Sequence, residues 1–306
     1  MRQGFHIIIL FGLIAGSCTG NPKQVNTKAL KQFSLPAIPA IMNDRQQQLD
    51  YLAMHYWDNF DFNDTSLINS SLITEQVFTN YIQSLLQAGA PTTALSVRHM
   101  LERALPNPQL STCFMELLEK YLYDPNSPLR NEEIYSIALE YVLASPQVDE
   151  VNKIRPRYQL EQLRKNPPGQ IAVDFVYTLA NGKQGRMHHI KSDFLILFFN
   201  NPDCTACGDI QRGFEQSPVI SQMQETGRLK ILAMYIDEAI DAWRQYQTKI
   251  PAQWINGYDA SFVILNKELY DLRAIPNLYL LDKDKRVILK DAQPELLERY
   301  LLMQGE

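Results

Sequence analysis

The hydrophobic pattern of this chain changes its period once, and that change limits the folds the chain can adopt. In the first half, apolar residues recur at helical spacing, as at Val77, Tyr81 and Leu85. A Lys-Asn-Pro-Pro-Gly break follows at residues 165–169, and beyond it short strand-like runs alternate with helical segments. The sequence therefore predicts an all-α region followed by an α/β region.

Length and composition agree with two folded domains. A chain of 306 residues is long for a single core, and 45% hydrophobic with 21% charged residues excludes a disordered chain. The formal net charge of −5 gives no electrostatic footprint for nucleic acid, so we expect no nucleic-acid partner. Four cysteines are too few to stabilise a scaffold of this size by disulfides.

The first residues are typical of a secretory signal. Arg2 precedes an apolar run from Phe5 to Ala15, and about 11 residues are too few to cross a bilayer. Cys18 follows small residues and resembles the acylated cysteine of a bacterial lipobox, although Ala15 stands where that motif usually has Leu. We expect Cys18 to be lipidated, with simple secretion as the alternative. The protein would then be a cell-envelope lipoprotein facing the periplasm, anchored at the outer membrane.

We divide the chain into four segments: a signal peptide (1–17), a lipid-anchored tether (18–42), a helical domain (43–165) and a second domain (170–306). In the helical domain the periodicity predicts five or six helices, near 44–60, 74–88, 91–105, 109–123, 129–145 and 153–165. In the second domain we predict the order β-β-β-α-β-α-insert-β-β-α, with strands near 171–179, 183–190, 194–199, 229–236, 278–281 and 286–289, and helices near 205–223, 238–249 and from 294. The continuous apolar run 194–199 predicts a strand buried on both faces.

Cys204 and Cys207 follow this buried strand directly, where a helix is predicted to begin. Two intervening residues place both sulfurs in one helical turn, close enough for a readily reduced disulfide. Cys204 would face unpaired backbone N–H groups, which stabilise its thiolate. Cys207, one turn further on, would be shielded and would act only on a mixed disulfide. This placement predicts thiol–disulfide chemistry.

The sequence gives less support to other roles for this cysteine pair. A structural zinc site needs two further ligands, and His188 and His189, adjacent on a predicted strand, would point to opposite faces. A peroxidatic cysteine has Thr three residues before it, where Asn201 stands. The sequence also does not exclude a purely structural disulfide between Cys204 and Cys207. We expect no metal and no cofactor.

Residues 170–306 resemble the thioredoxin fold. The matching features are Val173-Asp174-Phe175, the strand that leads into Cys204-x-x-Cys207, and Ala274-Ile275-Pro276 before Leu278-Tyr-Leu-Leu-Asp282. The resemblance is to envelope thiol–disulfide oxidoreductases related to the cytochrome-maturation reductants, within the alkyl hydroperoxide reductase/thiol-specific antioxidant superfamily. It implies an α/β fold with a central mixed sheet flanked by helices. It also implies that Pro276 is cis and faces the cysteines, and that Ile275 shapes the substrate groove.

Asp203 departs from the pattern of this family, which commonly has Trp just before the first cysteine. A carboxylate there opposes thiolate formation, so we expect the pKa of Cys204 to be lowered less than usual, although Asp203 could also cap the helix. We find no equivalent of the buried acid that assists the second thiol. Asp174 and Asp237 are interpreted as cap or surface groups.

The remaining features of the chain carry weaker signals. Cys113 is interpreted as a buried inert thiol, and Trp254 is expected to flank the cysteine pair. The aromatic-rich segment 55–62 is either core packing or a ligand platform. The helical domain resembles domains of unknown function that precede thioredoxin domains in Gram-negative lipoproteins, which implies no activity.

Together these features predict a membrane-tethered enzyme that reduces or isomerises disulfides of envelope proteins. Its partners would be disulfide-bearing envelope proteins, a membrane thiol reductant as electron donor, and the membrane itself through the lipid anchor. The alternative is a non-enzymatic lipoprotein that binds a partner through a redox-sensitive thioredoxin-like module. The intact Cys204-x-x-Cys207 pair favours the enzyme.

Overall fold

The computed structural model describes residues 33–304, so the predicted signal peptide and Cys18 lie outside the described residues. The first part of the chain is helical. Its α-helices are α1 (Arg45–His55), α2 (Phe78–Gln87), α3 (Ala90–Ala104), α4 (Pro108–Leu118), α5 (Glu132–Ala144) and α6 (Glu150–Leu163). A 3₁₀-helix, Thr65–Asn69, and a π-helical segment, Leu72–Val77, precede α2, and a second π-helical segment, Glu119–Tyr123, extends α4.

Three of these helices, α1, α4 and α5, begin at a residue whose side chain caps the first turn. The side chain of Asp44 accepts a hydrogen bond from the N–H of Gln47 at 2.9 Å and so caps α1. Asn131 caps α5 in the same way, through the N–H of Ile134 at 2.9 Å. Each cap satisfies a backbone donor that the first helical turn leaves without a partner.

One hydrophobic core joins the helices, with Trp57 among its rings. The indole lies 5.1 Å from the ring of Phe114 and 5.3 Å from the rings of Phe60 and Tyr81, centroid to centroid. Edge-to-face contacts of this kind add to the burial of apolar area. The aromatic side chains of segment 55–62 therefore form part of the core, and the core-packing interpretation of this segment is confirmed.

The second part of the chain is a seven-stranded mixed sheet with helices on both faces. Its strands are β1 (Val176–Leu179), β2 (Gln184–Arg186), β3 (Phe194–Phe199), β4 (Leu229–Tyr235), β5 (Ile255–Tyr258), β6 (Asn277–Asp282) and β7 (Val287–Leu289). Its helices are α7 (Thr205–Gln216), α8 (Pro218–Glu225), α9 (Ile240–Tyr246), α10 (Val263–Asn266) and α11 (Pro294–Met303). The strand order is β2-β1-β5-β4-β3-β6-β7.

Strand β3 lies in the interior of this sheet, parallel to β4 and antiparallel to β6. Alternate side chains enter two different cores: Leu195, Leu197 and Phe199 on one face, and Ile196 and Phe198 on the other. The prediction of a strand buried on both faces is confirmed. Because β3 is held between two strands, its carboxyl end is a rigid support for the residues that follow.

Three sequence-based expectations for this sheet were wrong. The predicted insert contains β5, which lies between β1 and β4. The predicted helix over 205–223 is two helices, because Pro218 starts α8 and Ser217 caps it through the N–H of Ile220. The second predicted strand ends at Arg186, and His188 and His189 lie in a 3₁₀ turn instead of on opposite faces of a strand.

Polar contacts join the two parts where the chain passes from one to the other. Lys165 Nζ lies 3.0 Å from a carboxylate oxygen of Glu268, and the Asn166 amide donates to the carbonyl of Leu269 at 2.8 Å. Lys290 Nζ donates to the carbonyl of Leu163 at 2.8 Å. Within residues 33–304, no helix is both long and apolar enough to cross a membrane.

Candidate active site

The two cysteines meet at the carboxyl end of β3. The chain leaves the strand through Asn200 and turns into α7, whose N-cap residue is Cys204. Cys207 lies one turn into that helix, and the two cysteines form a disulfide with Cα atoms 5.2 Å apart. The structure therefore brings together the pair that the sequence placed in one helical turn.

The two cysteines differ in their exposure to solvent. Cys207 is 2% exposed and packs in an apolar cluster with Phe198, Phe214 and Trp254. Cys204 is only partly buried at the edge of the same cluster. Trp254, which we expected to flank the pair, belongs to the same apolar cluster as Cys207 and contacts the rings of Phe198 and Phe214. A large partner molecule can reach Cys204 but not Cys207.

A backbone N–H of α7 points at the sulfur of Cys204. The N–H of Cys207 donates to this sulfur at 3.0 Å, and the N–H of Gly208 donates to the Cys204 carbonyl at 3.2 Å. A negative charge on this sulfur would therefore receive a hydrogen bond and the positive end of the helix dipole. Both effects favour the thiolate over the thiol.

The segment that precedes β6 faces the exposed sulfur. The Ile275–Pro276 peptide is cis, as the resemblance implies. The carbonyl oxygen of Ile275 lies 3.9 Å from the sulfur of Cys204. Among the described residues, neither the N–H nor the C=O of Ile275 has a backbone hydrogen-bond partner. The peptide edge beside the cysteine pair is thus open to another chain.

Asp203 lies next to the pair but does not cap the helix. Its side chain is exposed, and its own N–H donates to Asn201 Oδ1 at 3.3 Å. The capping position belongs to Cys204 instead. Asp203 therefore does not act as the helix cap, and its remaining effect is to repel a thiolate on the neighbouring Cys204.

The other two acids that the sequence singled out, Asp174 and Asp237, do not hydrogen-bond to the cysteine pair. Asp174 accepts hydrogen bonds from the N–H groups of Phe175 and His188, both at 2.9 Å, and it pairs with Arg186. Asp237 is exposed after β4. Both are therefore cap or surface groups, as interpreted. Among the described residues, no acidic or basic side chain hydrogen-bonds to either sulfur of the pair.

Cys113 is half-buried in the helical part, and not fully buried as expected. Burial and the neighbouring Glu116 carboxylate raise the pKa of its thiol. Since the thiolate is the reactive form, this cysteine is less reactive than an ordinary exposed one at neutral pH. In the described residues, no three His, Cys, Asp or Glu side chains converge as ligands for a metal ion.

Sequence reasoning missed the groups that hold the Ile275 segment in place. The loop 271–277 is closed by Asn277, whose buried amide donates to the Asp271 carbonyl at 3.2 Å. Arg273 in the same loop pairs with Glu132 of α5, which is 141 residues away in sequence. No local pattern signals a contact over such a separation, and each residue alone is typical of a surface position.

Comparison with known proteins agrees with this architecture. A crystal structure of a thioredoxin-like protein from Bacteroides caccae is 45% identical, with a TM-score of 0.85. The alignment covers 89% of this chain and 98% of that one, so it includes both the helical part and the sheet. The chain belongs to this thioredoxin-like family. Residues 16–166 of this thioredoxin-like protein match a family that is called a domain of unknown function (DUF5106).

Two shorter solved structures each match a little under half of the chain. The C-terminal domain of an uncharacterized protein from Bacteroides fragilis is 45% identical, and the match covers 45% of this chain and 98% of that one, with a TM-score of 0.44. A conserved protein of unknown function from Bacteroides fragilis is 40% identical over 44% of this chain and 98% of that one, with a TM-score of 0.43. No curated protein matches the chain.

Proposed function

We propose that this thioredoxin-like protein is a thiol–disulfide oxidoreductase of the cell envelope. The observation that carries the proposal is the unequal pair at the start of α7, where Cys204 is reachable and Cys207 is buried. Such a division suits a two-step exchange, because only one sulfur meets the substrate and the other acts afterwards.

In the first step, the thiolate of reduced Cys204 attacks one sulfur of a substrate disulfide. A bond forms between Cys204 and that sulfur, and the second substrate sulfur leaves as a thiolate that takes up a proton. The N–H of Cys207 and the helix N-terminus stabilise the attacking charge before the reaction.

In the second step, the sulfur of Cys207 attacks the sulfur of Cys204. The Cys204–Cys207 disulfide forms, and the remaining substrate sulfur leaves. Cys207 releases its proton to solvent as it attacks, and the leaving substrate thiolate takes up a proton from solvent. Two electrons have passed from the pair to the substrate, and a membrane thiol reductant would restore the dithiol by the same exchange.

The open peptide edge at Ile275 supplies a place for the substrate chain. Among the described residues its N–H and C=O have no backbone partner, and its C=O lies 3.9 Å from the Cys204 sulfur. An extended polypeptide can pair with such an edge as an added strand. Pro276 follows immediately and has no N–H to offer. The proposed substrates are therefore extended, disulfide-bearing segments of envelope proteins. Lipidation of Cys18 would hold the enzyme among them.

A turnover assay with the full chain tests this proposal. The reduction of a small disulfide-bonded protein such as insulin is followed with dithiothreitol as the electron donor. We expect acceleration by the wild-type chain and by Cys113→Ala, and none by Cys204→Ala. Undiminished acceleration by Cys204→Ala would contradict the proposal.

The alternative function, a redox-sensitive docking module without activity, gives a different result in the same experiment. It predicts no acceleration by any variant and a partner affinity that changes when the disulfide is reduced. The reduction potential of the pair, measured against glutathione, then separates a reductase from an isomerase within the enzymatic proposal.

A further inference from the structure

A buried cluster of charges joins the helical part to the thioredoxin-like part beside the candidate active site. It contains three cations and three carboxylates, so its formal charge is balanced. Each side chain is at least three-quarters buried. We call this set the interface charge cluster, and its members are Arg130, Glu132, Asp271, Arg273, Lys290 and Asp291.

Glu132, in the first turn of α5, lies between two cations of the thioredoxin-like part. One carboxylate oxygen accepts a hydrogen bond from the Arg273 guanidinium, and the other lies 3.0 Å from Lys290 Nζ. Arg130 reaches across the same interface and donates to the side chain and to the carbonyl of Asp291, both at 2.6 Å. The contact is therefore made by charge-assisted hydrogen bonds in both directions.

Arg273 has three further partners, one of which is the Asp291 carboxylate at 3.9 Å. Its guanidinium lies 3.8 Å from the ring centroid of Tyr123, which belongs to the helical part. It also lies 3.0 Å from a carboxylate oxygen of Asp271, as an ion pair without hydrogen-bond alignment. Two of the groups that hold Arg273, Tyr123 and Glu132, thus come from the helical part.

Arg273 stands two residues before Ile275 in the loop 271–277. The base of this loop is closed by the hydrogen bond from Asn277 to the Asp271 carbonyl. Its far side carries the Ile275 carbonyl to 3.9 Å from the Cys204 sulfur. Only two peptide units therefore separate Arg273 from the edge that faces the reactive cysteine.

Stability alone is a poor explanation for such a cluster. Removing six charges from water is costly, and apolar side chains of similar volume often stabilise a protein at least as well as a buried ion pair does. Charged groups, unlike apolar ones, favour a single arrangement in which each charge meets a partner of opposite sign. In this cluster, that arrangement sets the position of the loop that carries Ile275.

We infer that Glu132 and Tyr123 of the helical part are positioning residues for the substrate-binding loop, and that they act through Arg273. They hold the Ile275–Pro276 segment where an extended substrate can pair with it. This inference rests on the proposed function, because it concerns how the same site receives its substrate. The 89% alignment with the Bacteroides caccae structure indicates that this arrangement of the two parts recurs.

Steady-state kinetics of the full chain with a disulfide-bonded polypeptide test this role. Glu132→Gln keeps the shape of the side chain and removes its charge. We expect KM to rise about tenfold, with kcat and the alkylation rate of Cys204 by iodoacetamide unchanged. The matched control is Glu133→Gln, an exposed carboxylate in the same helical turn, which should leave KM unchanged.

A second pair of variants covers the case in which Glu132→Gln fails to fold. Tyr123→Phe keeps the ring over the Arg273 guanidinium, whereas Tyr123→Leu removes it. We expect Tyr123→Leu to raise KM about threefold to tenfold and Tyr123→Phe to retain the wild-type KM. Unchanged KM in both Glu132→Gln and Tyr123→Leu would overturn the inference, as would equal losses in kcat and in alkylation rate.

Hydrogen exchange gives a readout that does not depend on turnover. The amides of 271–277 should exchange about tenfold faster in Glu132→Gln than in Glu133→Gln, and equal rates would count against the positioning role. An inactive wild-type chain would overturn the proposed function. An active wild-type chain with unaffected variants would overturn only the inference about the helical part.

Discussion

The backbone N–H of Cys207 donates a hydrogen bond to the sulfur of Cys204 at 3.0 Å, so the first cysteine is itself the cap of the helix that contains the second. A thiolate at this position would strengthen that bond and interact with the helix dipole. The sulfur of Cys204 thus both caps helix α7 and is the atom that we propose to attack the substrate disulfide.

Replacing Asp203 by Asn should lower the pKa of Cys204. Asp203 is exposed and does not cap α7, so its removal takes away like-charge repulsion and leaves the helix donors in place. The measurement is the thiolate absorbance of Cys204 against pH. The background carries Cys18→Ser, Cys113→Ala and Cys207→Ala, so that Cys204 is the thiol that titrates.

The matched control for this titration is Asp193→Asn. It removes the same charge at the opposite end of β3, where Asp193 pairs with Arg228. It should leave the pKa of Cys204 unchanged, because screening weakens charges at that distance. A Cys204 pKa that rises or stays constant in Asp203→Asn would show that repulsion is not the dominant effect.

The helical half could be predicted from sequence because its signals are local. Apolar spacing, as at Val77, Tyr81 and Leu85, acts within a few residues of the element it defines. The strand β3 and the cysteine pair were predictable for the same reason, since the buried run and the helix start adjoin each other. The rigid end of β3 then fixes where Cys204 lies.

Strand β5 could not be predicted because its own sequence argues against it. Asn256-Gly257 is a pair typical of turns, yet it becomes a strand since β4 and β1 supply partners on both sides. The ring of Tyr177 also covers the backbone at Gly257. The interface charge cluster was missed on similar grounds, because its pairs exist only once two separate regions pack together.

Glycines at two sites should respond in opposite directions to alanine. At Gly185 in β2, a Cβ would lie 2.3 Å from the Tyr177 ring, so Gly185→Ala forces the buried ring to move and should cost about 1–3 kcal/mol. At Gly213 in α7, a Cβ would meet nothing within 4 Å, and Gly213→Ala should stabilise the protein by about 0.5–1 kcal/mol.

Urea unfolding of both glycine variants measures these changes in the free energy of unfolding. The Gly213→Ala variant serves as the control for the substitution itself, since it adds the same methyl group in open space. A Gly185→Ala protein as stable as the wild type would show that Tyr177 does not pack across β2 as described.

Replacing Cys18 by Ser should move the protein from the membrane fraction to the soluble fraction. The proposed lipid anchor is the reason, because acyl chains on Cys18 would supply the membrane affinity. Immunoblots of fractionated cells measure the distribution, and the thermal unfolding transition of the purified variant should match that of wild type. Retention of Cys18→Ser at the membrane would count against lipidation, and Cys113→Ser controls for loss of a thiol elsewhere.

Trapping of substrates in mixed disulfides tests the central proposal most directly. Cys207→Ala lacks the resolving sulfur, so Cys204 should remain bonded to substrates and appear as high-mass species on non-reducing gels of envelope extracts. Those species should disappear with dithiothreitol, and Cys204→Ala should form few, because buried Cys207 cannot reach a substrate. Equal trapping by Cys204→Ala and Cys207→Ala would contradict the account.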